Sequence, residues 1–387
     1  MMLSTTRLVC LWLACAVAVS RSYSVKPGTW KFRGHPIAYE TAQSVKTDET
    51  THNHDKKVDD DSTPVLLLNG FGVGSFHQHR LIHELLGDEI HVDRPIYCID
   101  YLGQGQSWPE NCRDGESESE QGLRYCGSTW VDQITAFMEQ VIQTQHPGVK
   151  IHLAGNSLGG HLATFVAAAR PDLVQSLTLM NATPVWGLNL PGWNGRLPAP
   201  LIPKMVGRYL FDRIRDLSTI EQYLVAAYGN RNSFDLELMK QIRACTESSG
   251  GHAAFASILW SPPVTVRRND QEISSFYDAL TLVDCDVLLL FGAEDPWCKP
   301  AFAKRMLQKL EERTGEAQSR YVEIEGVGHC PNHEAPKATA LVLNKWWCAE
   351  ETDAFSVKEE WGKTTVQQRA QTDIPLSLVD RLAVTFV

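Results

Sequence analysis

Short runs of consecutive apolar residues alternate along this chain with longer segments of helical periodicity. Continuous apolar runs, as opposed to alternating ones, are typical of strands covered on both faces, as in a parallel sheet. Such runs occur at 64–70, 95–103, 150–156, 176–182, 286–292 and 320–326, and the helical segments include 128–145, 158–170, 300–314 and 335–347. The pattern predicts an α/β fold in which a mostly parallel central sheet has helices on both faces and right-handed crossovers.

Two stretches depart from this alternation. The segment WKFRGHPIAYE at 30–40 predicts two short strands joined at a Gly-His turn, and the polar stretch 43–63 predicts a solvated loop. Proline-rich turns and helical stretches replace the strand pattern over about 184–280. Because structureless loops of that length are uncommon in compact domains, we expect a helical cap inserted after the sixth strand. The predicted domain covers 23–350, and the tail 351–387 has no clear strand or helix pattern.

The first 22 residues have the layout of a secretory signal peptide. Arg7 precedes an unbroken apolar run from Leu8 to Val19, and small residues follow it. This run is shorter than the roughly 20 residues that cross a bilayer. We therefore expect a targeting peptide over 1–22. It would direct the chain either to a plastid or chloroplast reached through the secretory pathway, or to secretion and the ER lumen.

Composition limits the class of function. The 387 residues are 43% hydrophobic and 21% charged, with a formal net charge of −10, which is typical of a globular protein. The acidic balance and the lack of basic runs argue against nucleic-acid binding. The cysteines beyond the targeting peptide lack paired C-x-x-C spacing, so we expect neither a metal site nor a cofactor. Cys112 and Cys126 flank a polar loop and form either a disulfide or two free thiols.

The stretch HLAGNSLGGHLA at 152–163 places a serine between a predicted strand and a predicted helix. Gly155 and Gly159 stand two residues on either side of Ser157 and complete the pattern G-x-S-x-G. In that context the serine occupies a strained turn, and the glycines let backbone and helix pack closely. The helix behind Ser157 directs the N–H groups of its first turn toward a developing oxyanion. We therefore predict that Ser157 is a catalytic nucleophile.

A serine nucleophile of this kind requires an acid and a histidine base later in the chain, in that order. Asp295 and His329 each stand just past the end of one of the last two predicted strands. Because the carboxyl ends of parallel strands share one edge of the sheet, we predict Asp295 as the acid and His329 as the base. Glu294 is the alternative acid, and His333 is the alternative base.

An ester hydrolase also needs two backbone donors for the oxyanion. One is predicted to be the N–H of Leu158, directly after the serine. The other is predicted in the glycine-rich loop LLLNGFGVGSF after the first parallel strand, where Phe71 is best placed. The glycines of that loop are also typical of a phosphate-binding loop, but the loop lacks the Lys-Ser/Thr end of a Walker motif. The loop is therefore assigned to the oxyanion hole.

Several longer stretches resemble the pheophytinase family of α/β-hydrolases. They spread from residue 65 to about 334 and are LLLNGFGVGSFHQ, IDYLGQGQSWP, AGNSLGGHLATF, LMNATPVWG, AFASILWSPP, FGAEDPW and GHCPNHE. On this resemblance the family's serine falls on Ser157, its acid on Asp295 and its histidine on His329. The resemblance implies an α/β-hydrolase fold and hydrolysis of the phytyl ester of pheophytin, giving pheophorbide and phytol in chlorophyll breakdown.

Three departures from the family pattern bear on the choice of substrate. Asn69 stands where Pro or His is usual, and His161 stands where an aromatic residue is common. Asn332 and His333 replace the more usual His-Asp. None of these positions is a predicted triad member, so the resemblance still implies ester hydrolysis.

A phytyl chain requires a long apolar groove, because each buried methylene contributes about 0.8 kcal/mol. The predicted cap supplies apolar and aromatic residues, most of which we expect to form its core: Val185, Trp186, Leu188, Trp193, Leu201, Ile202, Tyr209, Leu210, Phe211, Tyr223, Phe255 and Trp260. Trp186 and Phe71 stand nearest the predicted strand ends and are the predicted substrate contacts.

The predicted partner is therefore a small lipophilic pigment ester, with peripheral association to a thylakoid or other membrane. Three other functions remain open at this point. The first is a chlorophyllase or chlorophyll dephytylase, the second is a general lipophilic carboxylesterase, and the third is a receptor or carrier that retains the triad without turnover.

Overall fold

The computed structural model describes residues 23–44, 63–87, 90, 92–109 and 121–348. The predicted targeting peptide, most of the polar stretch 43–63, Cys112 and the tail 351–387 lie outside the described residues. The interpretations of those segments, including the pairing of Cys112 with Cys126, stay predictions.

An eight-stranded sheet forms the centre of the fold, and a separate two-stranded sheet accompanies it. The strands are β1 (Tyr23–Phe32), β2 (His35–Ser44), β3 (Val65–Leu68), β4 (Ile96–Ile99), β5 (Ile151–Asn156), β6 (Val174–Met180), β7 (Val266–Arg268), β8 (Gln271–Ile273), β9 (Asp286–Gly292) and β10 (Ser319–Ile324). The large sheet has the order β1-β2-β4-β3-β5-β6-β9-β10. Its β1/β2 and β2/β4 pairs are antiparallel and the others are parallel. The predicted, mostly parallel sheet is therefore confirmed.

Helices cover both faces of this sheet. They are α1 (His79–Leu86), α2 (Gly127–Phe137), α3 (Gln143–Gln145), α4 (Leu158–Ala169), α5 (Leu201–Ile214), α6 (Leu217–Ala227), α7 (Leu236–Ala244), α8 (Gly251–Trp260), α9 (Phe276–Thr281), α10 (Pro300–Glu311), α11 (Pro331–Glu334) and α12 (Pro336–Trp347). On β3, Leu66 packs in the core that contains α2, α4, α9 and α10, whereas Leu67 packs in the core that contains α1 and α12. Successive side chains of a strand point to opposite faces, so two cores require unbroken apolar runs.

The N-terminal hairpin differs from its prediction. β1 and β2 each have ten residues and pair along their whole length, from Tyr23 with Ser44 to Phe32 with His35. The turn is Arg33-Gly34, with φ values of 50° and 85°, so the prediction of short strands about a Gly-His turn was wrong. Most residues of β1 are half-buried or exposed, so the strand has no continuous apolar run in the sequence. Its length depends instead on backbone hydrogen bonds to β2.

Helices α5 to α8 and the β7–β8 hairpin occupy the segment between β6 and α9. Phe211 and Trp260 are buried there, as expected for a cap core. Val185, Leu201, Ile202 and Tyr209 are instead exposed, so these four residues of the expected set do not belong to that core. Three of them lie on α5, which turns its other face, with Pro203, Gly207 and Phe211, toward the protein. Among the described residues, no helix is both long enough and apolar enough to cross a membrane.

Candidate active site

Ser157 lies in a sharp turn between β5 and α4. Its φ of 53° and ψ of −117° are strained values for a residue with a side chain. The turn is held by β6, because the N–H of Ser157 donates to the carbonyl of Met180 at 2.9 Å. The carbonyl of Ser157 accepts from the N–H of His161 at 3.1 Å, which begins the helix. The side chain is only half-buried, so the sequence places a strained and accessible serine at the carboxyl end of a buried strand.

Gly159 explains why the turn needs a glycine two residues after the serine. A Cβ atom at this position would lie 2.5 Å from the carbonyl oxygen of Leu68 and 2.8 Å from that of Asn69. Both neighbours are backbone atoms at the end of β3, which cannot move without disturbing the sheet. The glycine therefore lets α4 approach the loop that follows β3.

Asp295 and His329 form a buried pair. The Nδ1 atom of His329 lies 2.6 Å from Oδ2 of Asp295, and their side chains are 8% and 0% exposed. The other carboxylate oxygen of Asp295 accepts the backbone N–H groups of Trp297 and Cys298 at 2.8 and 3.1 Å. These donors fix the carboxylate, which in turn fixes the orientation of the imidazole ring.

The alternative acid and base lie elsewhere. Glu294 has an exposed side chain, whereas Asp295 is buried. The Nδ1 atom of His333 lies 3.1 Å from the Tyr228 hydroxyl, and its ring stacks on His77 with 4.7 Å between centroids. Burial lowers the pKa of His333 to about 2, so this ring is neutral at ordinary pH. The structure thus brings His329 to Asp295 and leaves His333 in a separate buried cluster.

Two asparagines that the sequence reasoning missed connect these elements. Asn156, directly before the serine, donates through Nδ2 to the carbonyl of His329 at 2.8 Å and to that of Met180 at 3.1 Å. It therefore ties the end of β5 to the loop that carries the histidine. The signal in the sequence was an asparagine at the carboxyl end of a buried apolar strand.

Asn181 in a similar way connects the acid to the ends of two strands. Its Nδ2 donates to Oδ2 of Asp295 at 2.8 Å, and its Oδ1 accepts from the N–H of Gly292 at 2.8 Å. Asn181 has a φ of 42°, which asparagine tolerates better than most residues. It thereby bridges the ends of β6 and β9 beneath the carboxylate.

The loop after β3 lies against the serine. A Cβ atom at Gly70 would be 3.4 Å from Cβ of Ser157, so Phe71 follows a residue in direct contact with the elbow. The Tyr101 hydroxyl donates to the carbonyl of Asn69 at 2.8 Å and holds the start of this loop. Leu158 is the first residue of α4, where a helix has N–H groups without intrahelical partners. Of the two residues predicted for the oxyanion hole, Leu158 therefore follows Ser157 in the chain, and Phe71 follows the glycine that lies against Ser157.

Aromatic rings continue from this loop into the start of the cap. The rings of Phe71 and Trp186 lie 5.0 Å apart, and the ring of Trp186 lies 6.3 Å from that of Trp130. Phe71 and Trp186 are half-buried, whereas Trp130 is fully buried. The two residues predicted as substrate contacts thus pack together, with Trp130 as the support behind them.

Three residues of this region lie close enough together to be considered as ligands of one metal ion. The ligand atoms of Asp295, Cys298 and His329 are all within 4.8 Å of one another. Their chemistry does not fit a metal site. Nδ1 of His329 is already bonded to Asp295. Burial raises the pKa of the Cys298 thiol, which keeps it protonated, whereas a metal binds the thiolate. The group fits a hydrogen-bonded Asp–His pair better than a metal centre.

Comparisons with known proteins agree with this geometry. The chain is 29% identical over 355 residues to "Pheophytinase, chloroplastic" of Arabidopsis thaliana, which covers 79% of this chain and 67% of that protein. It is 24% identical over 294 residues to monoglyceride lipase of Mus musculus, covering 73% and 81% of the two chains.

Solved structures share the fold at low sequence identity. An esterase from Thermogutta terrifontis superposes with a TM-score of 0.53 at 20% identity, covering 86% of this chain and 99% of that one. A serine hydrolase involved in carbazole degradation gives a TM-score of 0.56 at 15% identity, covering 84% and 100%. Residues 65–341, well over half of the chain, match the family described as "Alpha/beta hydrolase family". This chain therefore belongs to the alpha/beta hydrolase family.

Proposed function

We propose that this protein is a serine hydrolase that cleaves the phytyl carboxylic ester of pheophytin, releasing pheophorbide and phytol. The observation that carries the proposal is the buried hydrogen bond between Asp295 and His329 at the sheet edge that also holds the strained Ser157. The 29% identity to a chloroplastic pheophytinase supports this choice of ester.

In the proposed reaction, His329 carries a proton in each of two half-reactions, first from Ser157 to phytol and then from water to Ser157. Nε2 of His329 accepts the proton of the Ser157 hydroxyl as Oγ attacks the ester carbonyl. The imidazolium then gives that proton to the departing phytol oxygen, which leaves a pheophorbide acyl group on the serine. Water then attacks this acyl group while His329 accepts its proton, and the imidazolium gives that proton to Oγ of Ser157 as the bond to the acyl group breaks and pheophorbide leaves as the free acid.

Three other groups stabilise the charges that develop. Asp295 holds Nδ1–H of His329 and offsets the positive charge of the imidazolium. The N–H groups of Leu158 and Phe71 are proposed to donate to the oxyanion, where each such donor contributes about 3 kcal/mol. In this proposal the chain's own residues carry every proton transfer.

The half-buried rings of Phe71 and Trp186 support an apolar substrate beside the serine. The proposed setting is a plastid reached through the secretory pathway, with secretion or the ER lumen as the alternative. The match to monoglyceride lipase favours a second candidate function, a general lipophilic carboxylesterase.

The test incubates the full chain separately with pheophytin a, chlorophyll a and a long-chain nitrophenyl ester. Ser157→Ala is the blank, and Ser218→Ala, an exposed serine of α6, is the matched control. We expect pheophorbide from pheophytin, intact chlorophyll, and loss of turnover by about a millionfold in Ser157→Ala alone.

The other outcomes separate the candidate functions. Hydrolysis of both pigments would make the protein a broader dephytylase. Hydrolysis of the nitrophenyl ester alone would support the general carboxylesterase. Stoichiometric pigment binding without turnover would contradict an enzyme and favour a carrier.

A further inference from the structure

Helix α5 turns one narrow face toward the protein. Its buried residues are Pro203, Gly207 and Phe211, which recur every four positions and form one face. A Cβ atom at Gly207 would clash with the side chain of Ala256 on α8, so the two helices pack closely at this point. Near the C-terminal end of α5, Phe211 packs against Phe255 of α8, with 5.9 Å between ring centroids.

Most of the other large apolar residues of α5 lie on its outer side. Leu201 and Ile202 are each 72% exposed, Met205 is 63% exposed, and Val206 and Tyr209 are exposed on the next turns. In the part of the chain that the structure describes, the other exposed large hydrophobic residues are Val185 and Leu236. One helix thus carries most of the exposed apolar side chains, and such a continuous patch marks a surface that another phase or molecule covers.

Basic residues outnumber acidic ones in the segment that carries this patch. The segment 196–215 contains five basic residues and one acidic residue, whereas the whole chain has a formal net charge of −10. Arg208 and Arg213 are exposed, and the guanidinium of Arg213 lies 5.0 Å from the centre of the Tyr209 ring. The local charge is therefore opposite to that of the molecule and complements an anionic surface.

We propose that α5 binds this protein to the surface of a lipid bilayer that contains anionic lipids, with the helix lying in the plane of the interface. A helix of 14 residues is about 21 Å long and is too short to cross a bilayer. An exposed apolar face flanked by Lys and Arg is the arrangement of helices that lie in the interface. A second copy of the chain fits less well, because a symmetric contact through α5 would place basic residues against basic residues.

This inference goes beyond the proposed ester hydrolysis and does not depend on it. The chain from Trp186 to Leu201 connects the aromatic rings beside Ser157 to the start of α5 and is anchored to α8 by Trp193 against Trp260, at 6.0 Å between rings. Binding through α5 would place the cap, rather than the opposite side of the sheet, against the lipid. An ester dissolved in that lipid would then be drawn from the phase that holds it.

The experiment measures cosedimentation of the full chain with vesicles of phosphatidylcholine alone and with roughly one third phosphatidylglycerol. We expect tighter binding to the anionic vesicles, weakened by added salt. The double variant Ile202→Ser with Met205→Ser is expected to lose roughly tenfold or more in binding to both vesicles. Arg208→Gln with Arg213→Gln is expected to lose about fivefold for each removed charge, on the anionic vesicles only.

Controls keep this result separate from catalysis. Leu236→Ser removes an exposed leucine from α7 and is expected to bind as the wild type does. Ser157→Ala is also expected to bind normally, since binding does not require turnover. All variants are compared by thermal unfolding, and all except Ser157→Ala are also compared by hydrolysis of a short water-soluble nitrophenyl ester.

Two outcomes would overturn the proposal. The first is that the wild-type chain binds neither vesicle, or that the α5 and α7 variants bind equally well. The second is a wild-type dimer in sedimentation velocity that the Ile202→Ser, Met205→Ser variant dissociates, which would assign the face to a second copy of the chain.

Discussion

Helices α4 and α5 are both rich in apolar residues, yet α4 is buried and α5 is largely exposed to water. Every residue of α4 from Leu158 to Ala168 is buried, whereas α5 buries only Pro203, Gly207 and Phe211. α4 lies between the sheet and α2 and α9, so all its faces are covered. α5 is covered by α8 on one face only. Apolar content alone therefore does not decide burial, and the neighbours available to each face do.

The difference in burial between α4 and α5 also corresponds to a difference in their structural roles. α4 holds the strained turn of Ser157, and a strained turn persists only where the surroundings fix it. α5 holds nothing at the sheet edge and is free to present its large side chains outward. Substitutions in the region of α4 should therefore affect chemistry and folding, and matched substitutions in α5 should leave both nearly unchanged.

The largest expected difference concerns the carboxylates. Asp295→Asn keeps the shape of the side chain but leaves His329 without its charged partner, so we expect kcat to fall about ten-thousandfold. Asp212→Asn, on the exposed side of α5, is expected to change kcat by less than about twofold. Steady-state hydrolysis of a nitrophenyl ester measures both.

Glu294→Gln is the second control for this prediction, because Glu294 is adjacent to Asp295 and exposed. It is expected to retain nearly full activity. If Glu294→Gln rather than Asp295→Asn abolished turnover, the assignment of the acid would be wrong.

A second comparison uses glycines at the two helix contacts. Gly159→Ala would bring a Cβ atom to 2.5 Å from a backbone oxygen of β3, and we expect a loss of about 2–3 kcal/mol in the free energy of unfolding. Gly207→Ala meets a side chain of α8, and α5 can shift outward because its other face is exposed. Its cost is expected to be within about 1 kcal/mol, since alanine also favours helix.

Urea unfolding followed by circular dichroism measures this difference. Equal losses in the two variants would show that α5 is held as firmly as α4, which would contradict the comparison.

A smaller effect is expected from the asparagine beneath the acid. Asn181→Ala removes the amide that donates to Asp295, and hydrogen bonds to charged groups contribute about 1.5–3 kcal/mol. We therefore expect kcat to fall about 10- to 100-fold with little change in KM, because the pair is misoriented while substrate binding is retained. Asn232→Ala, an exposed asparagine of the cap, serves as the control. An increase in KM at constant kcat would point to substrate binding instead.

The last expected effect appears only at acid pH and concerns α4. His161 is buried, its ring stacks on Phe276, and its Nδ1–H donates to the carbonyl of Thr183 at 2.9 Å. Burial lowers the pKa of His161 from 6.5 to about 4. The unfolded chain therefore binds the proton first, so this contribution to stability is complete above pH 6.5 and is lost as pH falls toward 4, at about 1.4 kcal/mol per pH unit.

His161→Phe removes the titrating group and is expected to make the unfolding free energy fall less steeply between pH 6.5 and pH 4. His83→Phe replaces an exposed histidine and is expected to keep the wild-type slope. Identical slopes in all three proteins would mean that the acid sensitivity arises elsewhere.

Much of the sheet and the candidate site could be predicted from local patterns. The unbroken apolar runs predicted β3 to β6 and β9 because those strands are covered on both faces. The strand β10 was also predicted, although it lies at the edge of the sheet and is mostly half-buried. The positions of the acid and the histidine after their strands predicted that Asp295 and His329 meet, because successive parallel strands end at one edge. The paired length of β1 and β2 could not be predicted in this way, since it depends on backbone bonds that leave no apolar period.

The contacts that orient the site are non-local. Asn156 meets the carbonyl of His329 although 173 positions separate them. Such a contact depends on how the β5 turn and the β10 loop pack, and neither segment encodes it alone.

The sequence by itself determined the elbow around Ser157, the strands that carry Asp295 and His329, and the helical period that puts Leu201, Met205 and Tyr209 on one side of α5. Only the tertiary structure decided that this side faces outward. Periodicity groups residues into faces, but burial depends on the partner that each face meets. On α5 the close contact of Gly207 with α8 placed Pro203, Gly207 and Phe211 on the inner face and left Leu201, Met205 and Tyr209 exposed.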